Sequence, residues 1–126
     1  MTENELAKVV FDCGLKVHRA LGPGLLESAY EACLFYELTK SNIFVEKQKG
    51  LPLIYNEVKL DVGYRTDLEV ENKLLVEVKA VEMLSGIHSA QLLTYLRLSG
   101  YKLGLLMNFN VLLFKDGVKR VINGYL

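Results

Sequence analysis

The segment of residues 74–80 places the strongest constraint on the fold, because it is almost continuously apolar over the length of one strand. Such a composition is typical of a central strand whose two faces are both covered by other elements. Two charged residues, Glu77 and Lys79, interrupt the apolar run. Charges in a buried strand are costly unless a partner compensates them, so the segment predicts a layered structure with a polar site near its centre.

Helices are predicted on both sides of this strand in the sequence, wherever apolar residues recur at helical spacing. The first covers Glu3–Leu21 and is ended by residues 22–24, which are Gly-Pro-Gly. The second runs from about residue 25 to residue 40. The third covers Gly86–Ser99, with Ser85 as a candidate N-cap and Gly100 as the stop.

The other predicted elements are strands, in which valine, leucine and tyrosine are enriched. They cover residues 43–49, Leu53–Tyr55, residues 58–70, residues 74–80, residues 103–109, residues 111–114 and Val118–Ile122. Residues 71–73 predict a turn, and Asp116-Gly117 predicts a tight hairpin before the last strand. The longer elements follow the order α-α-β-β-β-α-β-β, to which short strands are added, and this order indicates a mixed α/β (α+β) fold. The third helix should place strand 103–109 parallel to a strand of the central hairpin.

The length and apolar content set expectations about domains, partners and location. A chain of 126 residues predicts a single domain over residues 1–126. Hydrophobic residues make up 51%, more than a small domain readily buries, so we expect a homodimer in which a second copy covers part of the surface. No apolar run approaches the ~18 residues of a membrane span, and no signal peptide is recognisable. We therefore expect a cytoplasmic protein with no membrane partner.

The charge balance and the cysteines exclude several classes of function. With 15 basic and 15 acidic residues, the chain does not coat nucleic acid through bulk positive charge. A nuclease remains compatible, because an acidic centre offsets basic residues elsewhere. Cys13 and Cys33 lack metal-ligand spacing and are expected to be reduced thiols. Neither a Ser-His-Asp order, a glycine-rich phosphate loop nor a Cys/His zinc pattern is present.

The central hairpin places its charged residues on one face. Side chains alternate along a strand, so Asp67 lies on one face of its strand, and Glu77 and Lys79 share one face of the next. The apolar residues between them favour the core, which brings the three charged side chains together on the other side. These apolar residues are Leu68, Val70, Leu74, Val76 and Val78.

The register of this hairpin predicts a cation site. A turn at residues 71–73 pairs Val70 with Leu74, and hence Asp67 with Glu77. Directly paired side chains have Cβ atoms ~4.5–5.5 Å apart, and two carboxylates at that distance repel each other. A divalent cation such as Mg²⁺, held by one or two carboxylates and by water, removes the repulsion. Alternating charges on a hairpin are also typical of a solvated face, and the spacing alone does not exclude that interpretation.

Two helices carry further candidates whose roles the residues alone leave open. Glu27 lies on the packing stripe of the second helix. It is either a glutamate favoured by the helix dipole or a third acid that reaches the cation. In the third helix, His88, Gln91 and Tyr95 share one face, which is either solvated or directed at a phosphate. His88 and His18 have no ligand-spaced partner and are left out of the site.

Five blocks of sequence together resemble the GxxExxY proteins, a family within the PD-(D/E)xK nuclease superfamily. The resemblance covers nearly the whole chain in the family's order, and the blocks are specific only in combination. They are Gly24-Leu25-Leu26-Glu27-Ser28-Ala29-Tyr30, Tyr64-Arg65-Thr66-Asp67, Val76-Glu77-Val78-Lys79-Ala80, Ala90-Gln91-Leu92-Leu93-Thr94-Tyr95-Leu96-Arg97 and Gly104-Leu105-Leu106-Met107-Asn108-Phe109.

The resemblance implies a restriction endonuclease-like αβββαβ core, with an extra N-terminal helix and a C-terminal hairpin. It implies Asp67 and Glu77 as ligands of Mg²⁺ (or Mn²⁺), with the Val78 carbonyl as a further ligand, and Lys79 as the motif lysine. The catalytic set implied in this way is Glu27, Asp67, Glu77, Lys79 and Gln91. Thr66 stands where the motif has proline, a position that varies in the superfamily.

The leading hypothesis is a Mg²⁺-dependent phosphodiester hydrolase, a nuclease acting on DNA or, less favoured, on RNA. Tyr30 and Tyr95 are expected to bind the substrate. The alternative is a catalytically silent binding or assembly module with the same fold, and a hydrolase of a smaller phosphate ester is a third candidate. The neutral net charge and the apolar surplus support the silent module.

Overall fold

Helices cover both faces of a five-stranded sheet in the computed structural model, which describes residues 1–126. The helices are α1 (Glu3–Leu21), α2 (Glu27–Lys40) and α3 (Gly86–Ser99). The strands are β1 (Val45–Gly50), β2 (Leu53–Tyr55), β3 (Val58–Leu60), β4 (Arg65–Val70), β5 (Leu74–Lys79), β6 (Leu103–Asn108) and β7 (Val118–Ile122). No helix combines the length and the apolar character that crossing a bilayer requires.

The order of strands in the large sheet is β1-β4-β5-β6-β7. All neighbours are antiparallel except β5 and β6, which are parallel because α3 crosses from one to the next. This confirms the parallel pair predicted from the helix between them. β2 and β3 form a separate two-stranded hairpin. The mixed sheet, with helices on both sides, is consistent with the restriction endonuclease-like fold expected from the sequence.

Two apolar cores lie on the two faces of β5. Helices α1 and α2 pack on the face that carries Val76 and Val78, whereas α3 packs on the face that carries Leu75. Every residue of β5 except Lys79 is buried. The strand is therefore covered on both faces, as its apolar sequence predicts.

The predicted strand over residues 58–70 is interrupted. Only Val58–Leu60 and Arg65–Val70 are extended strands, and they belong to different sheets. Between them Asp61 Oδ1 accepts a hydrogen bond from the Gly63 N–H at 3.2 Å, and Gly63 has a left-handed φ of 79°. This local side-chain turn gives the backbone an alternative to strand pairing, which the apolar pattern alone does not reveal.

The predicted strand over residues 111–114 and the tight hairpin at Asp116-Gly117 are both wrong. Residues 111–113 form bends, and Phe114–Gly117 is a short 3₁₀-helix, although β7 still pairs antiparallel with β6. The apolar character reflects packing of a loop, since the Phe114 ring lies 5.0 Å from the Phe109 ring. Glycine is required at position 117 because its backbone packs closely against the backbone of Asn108. A Cβ there would lie 2.1 Å from the Asn108 carbonyl oxygen.

Candidate active site

Asp67 lies where strands β4 and β5 stop pairing through their main chains. The observed register joins Val70 to Leu74 and Leu68 to Val76, as the three-residue turn predicts. Extended by one residue, the same register sets Asp67 opposite Glu77. There the Asp67 side chain replaces a backbone acceptor, because its Oδ2 accepts a hydrogen bond from the Val78 N–H at 2.8 Å. The carboxylate is thus fixed to the central strand.

Glu77 is a buried carboxyl group without a protein donor. Only 4% of the residue is exposed, and Oε1 has no hydrogen-bond partner. Burial raises the pKa of Glu77 to about 9, and both a hydrogen bond to Asp67 and the negative charge of Asp67 contribute to the rise. The charge of Lys79 acts in the opposite direction. At neutral pH the raised pKa favours the protonated form of Glu77 when no cation is bound.

A second glutamate of this sheet, Glu69, is buried but has hydrogen-bond donors. Glu69 is 5% exposed, close to the value for Glu77. It accepts hydrogen bonds from the Tyr101 hydroxyl and from Lys49 Nζ, the latter at 3.1 Å. Burial and the bond to Glu69 raise the pKa of Tyr101 to about 12. Glu69 is therefore a structural acid, and the missing donor sets Glu77 apart from it.

Helix α2 contributes acids to a cavity beside Asp67. The Glu27 carboxylate accepts a hydrogen bond from the Ala80 N–H at 3.1 Å, which holds it at the end of β5. The structure therefore brings the predicted helical acid to the same place as Asp67. The cavity has a volume of about 280 Å³ and is lined by Glu27, Ser28, Glu31, Gln48, Asp67 and Val78.

Two side chains of this cavity, Glu31 and Gln48, are absent from the site predicted from sequence. The Gln48 Nε2 donates hydrogen bonds to Glu31 Oε1 at 2.8 Å and to Asp67 Oδ1 at 3.4 Å. Burial and the neighbouring charge of Asp67 raise the pKa of Glu31. A signal for Glu31 exists in the sequence, because it follows Glu27 by four residues and shares its helix face. Gln48 has no such signal, since the register of β1 against β4 involves distant segments.

Lys79 and Tyr95 interact electrostatically with Glu77, whereas Gln91 is exposed and makes no hydrogen bond to the carboxylates. Half-buried Lys79 ends β5, and its charge lowers the pKa of Glu77. Tyr95, on α3, is 8% exposed, and its pKa is raised by burial and by the negative charge of Glu77. Its ring lies 6.0 Å from that of Tyr64. Gln91 is exposed, one helical turn before Tyr95, and no hydrogen bond joins it to the carboxylates.

Tyr30 lies in the interior of the protein, whereas the sequence predicts that it binds the substrate. It is fully buried, and its ring stacks on Phe109 at 4.6 Å. The hydroxyl donates to the Gly22 carbonyl at 2.6 Å and accepts from the Leu25 N–H at 3.0 Å. Tyr30 therefore holds the glycine-rich turn that precedes Glu27, and a substrate cannot contact it without displacing these bonds.

The remaining candidates examined in the sequence take structural positions. His88 Nδ1 accepts a hydrogen bond from the Ser85 N–H at 3.0 Å and belongs to the cap of α3. His18 Nε2 lies 2.7 Å from the Val111 carbonyl oxygen. Both contacts are with the backbone of structural elements, which agrees with leaving both histidines out of the site. Cys13 and Cys33 are free thiols.

The donors around Asp67 fit a divalent cation that keeps most of its water. Two adjoining carboxyl groups with an unpartnered buried oxygen are an unfavourable arrangement unless a proton or a cation joins them. No group of three or more His, Cys, Asp or Glu side chains is arranged to hold a metal ion. Mg²⁺ does not require such a group, because one or two carboxylates, with water and substrate phosphate, commonly complete its octahedron.

The chain belongs to the PD-(D/E)XK nuclease superfamily, whose family model matches residues 4–121. Neither a curated protein nor a solved structure matches it. Membership supports a nuclease and, more generally, a divalent-metal enzyme. The narrower resemblance to the GxxExxY proteins stays a prediction, as does the role of each site residue.

Proposed function

We propose that the protein is a divalent-cation-dependent phosphodiester hydrolase that cleaves DNA, with RNA as the alternative substrate. The observation that carries the proposal is the pair of Asp67 and Glu77, in which a buried carboxyl lacks a donor and adjoins a second carboxylate. Superfamily membership independently supports the class of reaction. Mg²⁺ (or Mn²⁺) is the proposed cofactor, since both donors are carboxylate oxygens.

Asp67 and Glu77 would hold the cation. The fold orients the first carboxylate by a hydrogen bond and buries the second. The Val78 N–H orients the Asp67 carboxylate through Oδ2, which leaves Oδ1 to face the cavity. Glu77, whose protonated form is favoured in the cation-free protein, would lose that proton to solvent on binding a cation. A divalent cation in such a site supplies charge stabilisation to the phosphate and lowers the pKa of water.

Lys79 would act on the phosphate or on the attacking water. It lies two residues beyond Glu77, and its positive charge lowers the pKa of that carboxyl group. An ammonium group at this place would neutralise charge that develops on the phosphate oxygens or orient the attacking water. Glu27 would orient the end of β5 and face the cavity, and exposed Gln91 would bind a phosphate or a water.

Tyr95 and Tyr64 would border the bound substrate. Tyr64 is 44% exposed, so its ring can stack against a base. Tyr95 is mostly buried, and packing against it limits the mobility of Tyr64. Tyr30 is proposed to position Glu27 and not to bind the substrate directly.

The Lys79→Ala variant tests the proposed hydrolase. We expect wild-type protein to cleave at least one of labelled single- or double-stranded DNA or RNA in Mg²⁺ or Mn²⁺, and to stop when EDTA is added. The variant should be slower by about 10²-fold or more, because an electrostatic contact to the transition state is lost. Gel analysis of initial rates provides the measurement.

Lys119→Ala is the matched control, since Lys119 is an exposed lysine on the outer strand β7. It should retain the wild-type rate. A wild-type protein that binds the cation but cleaves none of the four substrates would contradict the hydrolase and favour the silent binding module. That second candidate is supported by the zero net charge.

A homodimer is the proposed assembly, and the β2–β3 hairpin supports it. The pairs Leu53–Leu60 and Tyr55–Val58 lie on one face of the hairpin, so that face is wholly apolar. Tyr55 is 63% exposed and Val58 is 54% exposed. Isolated two-stranded hairpins are marginally stable in water, which favours a covering partner.

Sedimentation velocity tests the assembly. We expect the wild-type protein to sediment as two chains at micromolar concentration. The double variant Tyr55→Ser, Val58→Ser should sediment as one chain, because it removes apolar surface from the hairpin without touching Asp67 or Glu77. A single-chain wild type, or a dimeric double variant, would contradict the proposed interface.

A further inference from the structure

Gln48 has a backbone conformation that is unusual for its place in the fold. Its φ is 52°, in the left-handed region. The other non-glycine residues with positive φ lie in turns, at Asn42, Asn56, Glu57, Glu71 and Asn72. Gln48 alone lies inside a strand. A residue with a side chain is strained in this region, so the surrounding structure must maintain the conformation.

An insertion in β1 does not explain the strain. The pairs on either side of Gln48, Lys47 with Leu68 and Lys49 with Thr66, follow one register. The strand therefore resumes its pairing without an extra residue. In that register Gln48 faces Asp67, but the two residues form no main-chain pair. The distortion is confined to the one residue that lies opposite the candidate cation ligand.

The distortion places the side-chain amide between two acids. Gln48 Nε2 donates to Glu31 Oε1 at 2.8 Å and to Asp67 Oδ1 at 3.4 Å. The Gln48 carbonyl oxygen accepts from Arg65 Nη1 at 3.2 Å, which compensates for the interrupted main-chain pairing. Each of these contacts depends on the direction in which the strained residue points its amide and its carbonyl.

Asp67 is consequently held through both of its oxygens. The Val78 N–H fixes Oδ2, and the Gln48 amide fixes Oδ1, while Glu31 fixes the amide. Without the amide, the carboxylates of Glu31 and Asp67 would face each other with no donor between them, and repulsion would turn Asp67 away. Hydrogen bonds to the ligands of a metal ion typically contribute 10–100-fold in affinity.

We propose that Gln48, anchored by Glu31, is a positioning residue that orients Asp67 for cation binding. The inference rests on the proposed function in one respect, that Asp67 is a ligand of the cation. It adds Glu31 of α2 and Gln48 of β1 to the site residues predicted from the sequence. Gln48 acts through Asp67 and contacts neither the phosphate nor the attacking water.

Calorimetric titration of Mn²⁺ and Mg²⁺ into two variants tests the proposal. Gln48→Gly removes the amide and relieves the strained backbone, whereas Gln48→Met removes the amide and keeps the length of the side chain. Both should weaken cation binding by about 10-fold or more. Chemical denaturation in EDTA should give Gln48→Gly an unfolding midpoint close to that of wild type, because relief of strain offsets the lost hydrogen bonds.

Asn72→Gly is the matched control for the backbone effect. Asn72 also has a left-handed φ, 55°, but it is exposed in the turn after β4. Its replacement should relieve similar strain and leave the cation affinity unchanged. A purely structural role for Gln48 would change the unfolding free energy and not the dissociation constant.

Three results would overturn the positioning role: wild-type affinity in both Gln48 variants, an equal loss of affinity in Asn72→Gly, or no cation binding by the wild-type protein. The proposed hydrolase fails separately. A wild-type protein that binds the cation and cleaves no nucleic acid would contradict the hydrolase, while weaker binding in the Gln48 variants would still support the positioning role.

Discussion

Replacement of Asp67 by asparagine is expected to reduce the rate of phosphodiester cleavage by about 10³-fold, equivalent to about 4 kcal/mol of transition-state stabilisation. Asparagine keeps a carbonyl oxygen for the Val78 N–H, which Asp67 engages at 2.8 Å, so the end of the β4–β5 pairing should persist. It removes the negative charge that the cation requires. The loss of activity should therefore arise from impaired catalysis and not from unfolding. Initial cleavage rates measure the activity, and circular dichroism spectra check that the variant is folded.

Asp116→Asn provides a matched control for that substitution. Asp116 is exposed on the short 3₁₀-helix, away from the carboxylate pair, and the same change of charge there should leave the rate within about 2-fold of wild type. If Asp67→Asn retained wild-type activity at limiting Mg²⁺, Asp67 could not be a ligand of the catalytic cation. Addition of excess Mn²⁺ should restore part of the activity only where cation binding is the step that is impaired.

Replacement of Glu77 by glutamine is expected to stabilise the cation-free protein at neutral pH. Because the folded-state pKa of Glu77 is raised from 4.5 to about 9, folding favours its protonated form. The stability that Glu77 gives the cation-free protein in its protonated form is fully present below pH 4.5. The free energy of unfolding then falls progressively as the pH rises toward 9. At pH 7 the loss amounts to roughly 3 kcal/mol, and glutamine, which cannot ionise, avoids it. Denaturation in EDTA at pH 5, 7 and 9 should show the gain increasing with pH.

Glu69→Gln should have the opposite effect and serves as the control. Glu69 is as deeply buried as Glu77, but Tyr101 and Lys49 donate hydrogen bonds to it. Loss of the charged partner should lower the unfolding free energy by about 1 kcal/mol. A Glu77→Gln protein that is less stable than wild type at pH 9 would contradict the assignment of Glu77 as an uncompensated carboxyl group.

Much of the fold follows from local patterns in the sequence. The bounds predicted for α1 and α3 agree with the structure, because caps and glycine stops are encoded within a few residues of each end. The central strand is correctly predicted to be covered on both faces. Failures occur where tertiary packing or a side-chain turn competes with the apolar pattern, as at Phe114 and at the turn between Asp61 and Gly63.

Some features of the candidate site also follow from local sequence, whereas others depend on tertiary contacts. The pairing of Val70 with Leu74, and hence the approach of Asp67 to Glu77, follows from a three-residue turn that the sequence shows directly. Gln48 could not be found by that reasoning, since its place depends on how β1 aligns with a strand twenty residues away and on a strained backbone. The burial of Tyr30 likewise depends on Phe109, which is distant in sequence.

The hydroxyl group of Tyr30 links the interior of the protein to the acid on α2. Its ring belongs to the apolar core, and its oxygen joins the two sides of the turn that leads into Glu27. The position of Glu27 therefore depends on the packing of a fully buried core residue. Loops elsewhere on the surface can therefore change in length or sequence without moving the Glu27 carboxylate.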